Sequence, residues 1–368
     1  MKRDVSMAKL HRVMEWMHLV AGLTAAPVLL VLGLTGSFLV FEYPLDHLFN
    51  ARLAYVQPAA ERLPLDRILA NIRAAYPTAK ILTLALSPSS AAPDLAYTAS
   101  VQLLNAVEAS TIYVNEYTGQ VLGKRDGMSF ATMVHEFHTD LMFGNRGAFV
   151  VMLTAGLLIV LSVSGLVLWW PRKIIKVRWS ASGRRLVFDI HNAIGVYSLL
   201  FMLLFSVTGV VVHWQATWLP IANRSIHLPD NEPDLKISLP SAKAQRITLD
   251  AVAAVATQTM PSARLTQINM PGSGGVYRAW LKYPEDGTPL GRSFVLVNAY
   301  SGAVLYTRSA RTIHVPTRFF REWNRELHTG DILGWPTRML ACLMSPMLPV
   351  LAITGPLFWW RKKRRLLR

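Results

Sequence analysis

Cysteine is almost missing from this chain: Cys342 is the single one in 368 residues, and it lies inside an apolar run. Intramolecular disulfides, cysteine metal clusters and thiol relays are thereby excluded. Acidic residues are scarce as well, 22 Asp and Glu against 38 Lys and Arg, and all charged residues together make up 16% of the chain. There is no phosphate-cradling glycine loop, no GxGxxG, no HExxH and no paired-carboxylate arrangement. What is abundant is apolar surface, with 52% hydrophobic residues and a mean hydropathy of +0.30. These residues come in concentrated runs, so much of that surface must face lipid instead of filling one soluble core.

Crossing about 30 Å of hydrocarbon takes roughly 20 apolar residues. Four runs are long enough: 18–41, 147–170, 191–214 and 335–360. The first follows a charged start resembling a signal peptide, but no small-residue cleavage site follows it, so an uncleaved span is expected. The net charge of +16 has three explanations: nucleic acid, an anionic membrane surface or membrane orientation. Its placement decides among them. Lys2, Arg3, Lys9 and Arg12 precede the first span; Arg172, Lys173, Lys176, Arg178, Arg184 and Arg185 lie between the second and third; Arg361 to Arg365 and Arg368 follow the fourth. These pieces hold sixteen basic residues and three acids (Asp4, Glu15 and Asp189), hence thirteen of the sixteen net positives. By the positive-inside rule both termini and the 171–190 loop are cytoplasmic, while 42–146 and 215–334 are exterior, in a bacterium periplasmic. The membrane, not nucleic acid, is the partner that this charge implies.

Each exterior segment reads as a small α+β unit. The first has an amphipathic stretch, Leu63 to Ala75, and ends in a strand, Gly turn and strand over 113–122. The second has a helix from Leu249 to Met260, strands at 264–270, 276–283 and 293–298, and a matching ending over 297–305. The match is part of an internal repeat. His18 is followed 17 residues later by Thr35-Gly36, and His191 at the same interval by Thr208-Gly209. His138 precedes Ser164-Gly165 by 26 residues and Trp169-Trp170 by 31, and His328 precedes Thr354-Gly355 and Trp359-Trp360 by the same intervals. The expected fold is an α-helical integral membrane protein: a four-helix transmembrane bundle built from a tandem repeat, with a pseudo-symmetry axis along the membrane normal and two small α+β exterior domains.

The repeat puts His18 and His191 at one depth near the cytoplasmic side, and His138 and His328 at another near the exterior. Ionisable side chains at membrane depth are costly, which makes them functional candidates. Neutral imidazole is a strong axial ligand for haem iron, and two helices offering one His each at equal depth can hold a porphyrin between them. Cys-x-x-Cys-His is missing, so any haem is of the non-covalent b type, two in all. His213 and His135 are alternative ligands; their counterparts in the repeat are Val40 and Arg325. The 33 residues from His138 to Trp170 reach about 48 Å as one helix, which would put His138 at or beyond the exterior surface. His11, His47, His227 and His314 receive no role. Arg146, Arg184 and Arg325, together with Arg185, Arg321 and Arg338, are candidate partners for haem propionates, because guanidinium forks match carboxylates. The glycines of the spans allow close helix contact or leave room for a flat macrocycle. The Trp pairs with their basic neighbours read as interfacial anchors.

Several elements together resemble the PepSY-associated transmembrane proteins: the Thr-Gly steps of spans one and three, the sequences around His138 and His328, the Gly-Leu-Val-Leu-Trp-Trp-Pro-Arg exit at 165–172, and the Val-Asn-x-Tyr-Ser/Thr-Gly-x-Val-Leu endings, which look like PepSY units. The resemblance covers nearly the whole chain. It implies PepSY-like exterior domains and, from some members, a single-subunit inner-membrane reductase with two b haems that reduces ferric siderophores in the periplasm and releases Fe(II) for uptake. Electrons would come from a cytoplasmic donor or a quinol, since flavin and nicotinamide sites are absent. Two alternatives have different consequences: a non-redox PepSY membrane protein that binds peptides or regulates a protease, or a haem electron-transfer protein with another acceptor. An ion-coupled transporter is disfavoured, because the span centres lack acidic residues.

Overall fold

The computed structural model describes residues 2–86, 94–104, 108–171, 173, 175–181, 183–214, 221, 224, 225, 232, 235, 244–288 and 290–366. Of the residues named above, Arg172, His227 and Arg368, and the side chains of Lys2, Arg3, Asp4, Arg321, Lys362, Arg364 and Arg365, lie outside that description. In chain order the elements used below are α1 (Lys2–Leu39), α2 (Leu65–Ala75), β1 (Lys80–Ala85), β2 (Tyr97–Gln102), β3 (Ser110–Val114), β4 (Val121–Arg125), α3 (Phe130–Asp140), α4 (Gly144–Trp169), α5 (Arg184–His213), α6 (Leu249–Thr259), β5 (Arg264–Asn269), β6 (Val276–Lys282), β7 (Ser293–Asn298), β8 (Val304–Arg308), α7 (Asn324–Thr329), α8 (Trp335–Met344) and α9 (Met347–Leu366). They divide into two compact units, one of Met1–Glu42, Ala131–Ile226 and Trp323–Arg368, the other of Tyr43–Phe130 and His227–Glu322.

The first unit holds four helical stretches long and apolar enough to cross a membrane, at Lys9–Leu39, Gly144–Trp169, Arg184–His213 and Trp335–Arg361. α1 packs along α4 and α9, and α5 packs along the same two, so α1 and α5 occupy opposite corners. The close approach of α1 to α9 depends on Gly33: a Cβ there would lie 2.2 Å from Pro349 Cδ. Midway along the bundle Ala25, Ala26, Leu29, Leu158, Met202, Leu348 and Ala352 bury an apolar layer.

The entries to the return spans differ from the expected continuous helix. α3 ends at Asp140, and Leu141 and Met142 take positive φ of 55° and 65° before α4 begins. The Asp140 carboxylate accepts from Met142 N–H at 2.9 Å, and its carbonyl accepts from Phe143 N–H at 2.9 Å. Positive φ is unfavourable for Leu and Met, which is why their residue types did not announce the turn. In the second half the same reversal is made through Gly330 (φ 82°) and Gly334 (φ 71°). His138 is therefore folded back on the bundle and does not extend a helix outward; the expectation of an outermost His138 is overturned.

In the second unit the two segments between the spans do more than form separate α+β pieces. Their strands make one antiparallel sheet of order β4-β3-β2-β1-β5-β6-β7-β8. The seam pairs Thr83 with Asn269, Leu84 with Ile268 and Ala85 with Gln267, a register centred on the repeat-equivalent Leu84 and Ile268. α2 and α6 cover one face, burying Ile68, Ile72, Val252 and Ala256 against Leu84, Val101, Ile112, Val114, Ile268, Leu281, Val295 and Val297. The β3–β4 and β7–β8 turns are twins. Asn115 accepts from Tyr117 and Thr118 N–H at 2.8 and 3.0 Å, Asn298 accepts from Tyr300 and Ser301 N–H at 2.9 and 3.1 Å, and Gly119 and Gly302 supply φ of 72° and 73°.

The two helix N-termini exchange caps across the pseudo-twofold. Asp66 accepts from Leu249 and Asp250 N–H at 3.0 and 3.1 Å, and Asp250 accepts from Leu65 and Asp66 N–H at 2.8 and 3.1 Å. Burial works against ionisation of Asp66, but hydrogen bonding to Asp250 and Leu249 prevails and holds its carboxyl below the ordinary carboxylate range. A carboxylate with a depressed folded pKa adds stability that is present above its unfolded value near 3.8 and lost as pH falls through the folded value. Asp66→Ala is expected to cost about 1–2 kcal/mol, typical of a lost N-terminal cap, and to flatten the acid limb of the unfolding profile below about pH 4. Thermal unfolding followed by circular dichroism across pH checks this; an unchanged acid limb would remove the exchange as a stabilising device.

Candidate functional site

The four singled-out histidines meet in two pairs inside the first unit. His18 on α1 and His191 on α5 lie with ring centroids 6.3 Å apart and planes at 88°. His138 on α3 and His328 on α7 lie 6.2 Å apart at 56°. Along α1 the 17 residues from His18 to Thr35, where the second pair begins, correspond to about 26 Å of helix, and the buried apolar layer lies between.

Each ring is seated by the other span of its own half, and the seat is the repeated Thr/Ser-Gly step. His18 Nδ1 lies 3.0 Å from Ser164 Oγ, His191 Nδ1 2.9 Å from Thr354 Oγ1, His138 Nδ1 2.9 Å from Thr35 Oγ1, and His328 Nδ1 3.0 Å from Thr208 Oγ1. The adjoining glycine makes room for the ring. A Cβ on Gly165, Gly355, Gly36 or Gly209 would come within 3.1–3.3 Å of Cε1 of the respective histidine. Gly33 thus serves helix packing, Gly165, Gly355 and Gly209 leave space for imidazole, and Gly36 does both, since a Cβ there would also lie 2.7 Å from Ser345 Oγ.

The hydroxyls also assign the ring protons. Ser164, Thr354, Thr35 and Thr208 each donate their single hydroxyl proton to the carbonyl four residues earlier, at 2.6, 2.6, 2.7 and 2.6 Å. A hydroxyl whose proton is committed can only accept from the ring, so Nδ1 carries hydrogen in all four histidines and Nε2 keeps its lone pair. Such a bond on the far nitrogen is the usual way an imidazole ligand is held in orientation and tautomer.

Two imidazoles with centres 6.2–6.3 Å apart have the spacing that a single ion between them requires. A metal–imidazole bond of about 2.0–2.1 Å, with about 1.1 Å more from nitrogen to ring centre, places two rings on opposite sides of one ion with centres about 6.2 Å apart. Among the described residues no cluster of three or more His, Cys, Asp or Glu is present, so neither pair is part of a tetrahedral protein cage. An ion held by two protein nitrogens needs its remaining positions filled by a non-protein ligand, and a planar four-nitrogen macrocycle meets that need between two opposed rings.

The alternative ligands sit elsewhere. His213 is the last residue of α5, 22 positions from His191, and His135 faces Glu42, with Nδ1 4.0 Å from Oε1, and is 52% exposed. Of the arginines, Arg184 lies over the Phe358 ring at 5.6 Å, Arg146 lines a surface cavity of about 630 Å³ with Leu141, Phe143 and Asn145, and Arg325 stands one turn before His328. Arg185 and Arg338 are engaged otherwise. Arg185 and Arg178 hold the fully buried Asp189 at 3.0 and 2.9 Å, and Arg338 pairs with Asp331 at 3.5 Å and donates to the Val40 carbonyl. Asp189, two residues before His191, is only a charge in the sequence; no local motif signals that it ties the 175–181 loop to the start of α5.

Comparison with protein families matches the model described as PepSY-associated TM region to residues 15–362, nearly the whole chain. No curated protein matches.

Proposed function

The chain belongs to the PepSY-associated transmembrane family, and from the histidine pairs built on its repeat we propose a bacterial inner-membrane reductase that passes electrons through two b-type haems to ferric siderophore iron in the periplasm. The observation that carries this reading is the pairing itself: two sites, each with two imidazoles whose centres lie 6.3 or 6.2 Å apart and whose Nδ1 atoms each rest on a hydroxyl, which leaves Nε2 as the nitrogen for ligation. His18 and His191 would hold the inner haem, His138 and His328 the outer one. Haem supplies, when bound, a one-electron carrier based on the Fe(III)/Fe(II) couple.

The remaining work falls to the chain. The Ser164, Thr354, Thr35 and Thr208 hydroxyls keep the ligating nitrogens aimed and unprotonated. Arg184 at the inner end, and Arg146 and Arg325 at the outer end, supply guanidinium groups suited to propionates. The apolar layer around Leu29 and Met202 keeps water from the path between the pairs. With the basic ends in the cytoplasm, electrons enter near His18 and leave near His328. Transfer of one electron to a ferric siderophore weakens the hard-oxygen complex, because Fe(II) is held less firmly than Fe(III), and the metal is released as Fe(II) for uptake.

The visible spectrum of the purified protein tests the proposal. Protein from haem-replete cells is expected to carry two haems per chain with a reduced α-band of bis-histidine type, and dithionite-reduced protein should reoxidise on anaerobic mixing with a ferric siderophore. Colourless protein removes the haem reading and leaves a non-redox PepSY protein; red protein that ignores a panel of siderophores leaves electron transfer to another acceptor.

A further inference from the structure

Beside the inner pair, α1 and the end of α4 enclose a cavity of about 310 Å³ lined by Leu10, His11, Leu166, Val167, Trp170 and Pro171. Its volume lies within the range of small-molecule sites, about 300–1,000 Å³, and its walls are apolar apart from one imidazole. That imidazole has an acidic neighbour: His11 Nε2 lies 3.7 Å from Glu15 Oε1 on the next turn. Leu166 and Val167 directly follow Ser164-Gly165, the seat of His18, and His11 precedes His18 by seven residues, two helical turns or about 10 Å along the same face. Leu10 and Trp170 stay 46% and 60% exposed, so the cavity is open at the surface of the two helices.

The repeat shows that this corner is special to the first half. At the equivalent positions His11 becomes Arg184, Leu166 becomes Pro356 and Val167 becomes Leu357. There Arg184 lies over the Phe358 ring at 5.6 Å, and Phe188 packs against the same ring at 5.3 Å. A duplicated scaffold that fills one corner with an arginine and aromatic stack and leaves its twin as an apolar recess with an imidazole has specialised the second corner.

Resting on the reductase reading above, we propose that this cavity is the electron-entry site and that its ligand is a lipid-soluble quinol. Three features select that chemical class. The cavity lies at the end of two apolar spans, within reach of a lipid-soluble isoprenoid quinol; the apolar walls suit its ring; and the imidazole–carboxylate pair accepts the protons that its oxidation must release. The balance is explicit. The quinol loses both O–H bonds and becomes a quinone; two protons pass in turn to the His11–Glu15 pair and leave from His11, the member nearer the N-terminus, to the cytoplasmic side; two electrons leave singly, each reducing one Fe(III) to Fe(II) by way of the His18–His191 pair.

The full-length protein, purified in detergent, is to be irradiated with an azido-ubiquinone and digested, and the labelled peptides identified. Label is expected on residues 10–15 and 166–171, displaced by decylubiquinone and lost in Val167→Trp and Leu10→Trp, with the dithionite-reduced spectrum of each variant reporting that it has folded. His11→Phe should keep the label but lower the rate of haem reduction by decylubiquinol by about 100-fold, the scale of a lost general base, while dithionite still reduces fully. Label spread along all four spans, or undiminished in both tryptophan variants, overturns the proposal and makes the cavity an acyl-chain groove. Site-specific label on protein that lacks haem refutes the reductase reading and leaves the quinone site standing.

Discussion

His328→Ala protein is expected to purify with one haem in place of two, with the α-band at about half its height, and to lose siderophore-driven reoxidation by at least about 100-fold. The expectation follows from the independence of the pairs. Each has its own two histidines, each histidine has its own hydroxyl and glycine, and about 26 Å of helix with a buried apolar layer lies between the sites. Removing an axial ligand does more than removing its supporting bond, which alone weakens metal binding by about 10–100-fold. The inner pair keeps His18, His191, Ser164 and Thr354, so the surviving haem should still be reduced by dithionite and still give a bis-histidine spectrum. His191→Ala should give the mirror result: the outer haem stays but no longer receives electrons from the cytoplasmic side. Pyridine haemochrome stoichiometry distinguishes the outcomes. Two haems retained in His328→Ala would falsify the assignment of that residue, and loss of both would mean that the pairs are one cooperative unit.

Thr208→Val should lower haem affinity at the outer pair by about 10–100-fold, and Thr208→Ser should restore it. Valine matches the shape of threonine but has no lone pair, so the Nδ1–H of His328 loses its hydroxyl acceptor and is left with the Phe205 carbonyl alone, and a buried N–H that is poorly paired costs about 1–3 kcal/mol. The ring is then free to move its proton to Nε2, which blocks ligation. Serine should suffice because Ser164 already performs this service for His18 at 3.0 Å. Titrating haem into haem-stripped protein measures the effect, and the low-spin ferric signal reports ring orientation separately from folding. Equal affinity in Thr208→Val and the parent chain would reduce the hydroxyl to one more side chain bonded to its own helix.

Much of this architecture can be read from the chain, because it depends on hydropathy and spacing. The four spans follow from apolar length, and the two histidine depths follow from the intervals of 17 and 26 residues. Those intervals carry more than they disclose. They place Thr35-Gly36 and Ser164-Gly165 at the depths of His138 and His18, but nothing local says that a hydroxyl on one helix caps an imidazole on another. The seam of the sheet is equally silent, since Lys80–Ala85 and Arg264–Asn269 read as ordinary strands, and their pairing spans more than 180 residues of chain. The reversal at Leu141 and Met142 runs against residue preference, so a propensity argument extends the helix straight through it. His11 was passed over because a lone histidine in a tail carries no signal until α4 is brought beside it.

The exchange between Asp66 and Asp250, centred like the Leu84–Ile268 pairing on equivalent residues, is the self-complementary contact of a symmetric homodimer. This single chain therefore has the anatomy of two identical ancestors joined end to end: a half-length protein with two spans could have built both histidine pairs and the whole sheet by meeting a copy of itself. Within one chain the halves are free to differ. A dimer of equal chains must place the same residue on both sides of its axis, and cannot have His11 in one corner and Arg184 in the other, or Glu116 in one sheet turn and Ala299 in its twin. Carrying both halves in one chain is what lets a symmetric scaffold have two unlike sides.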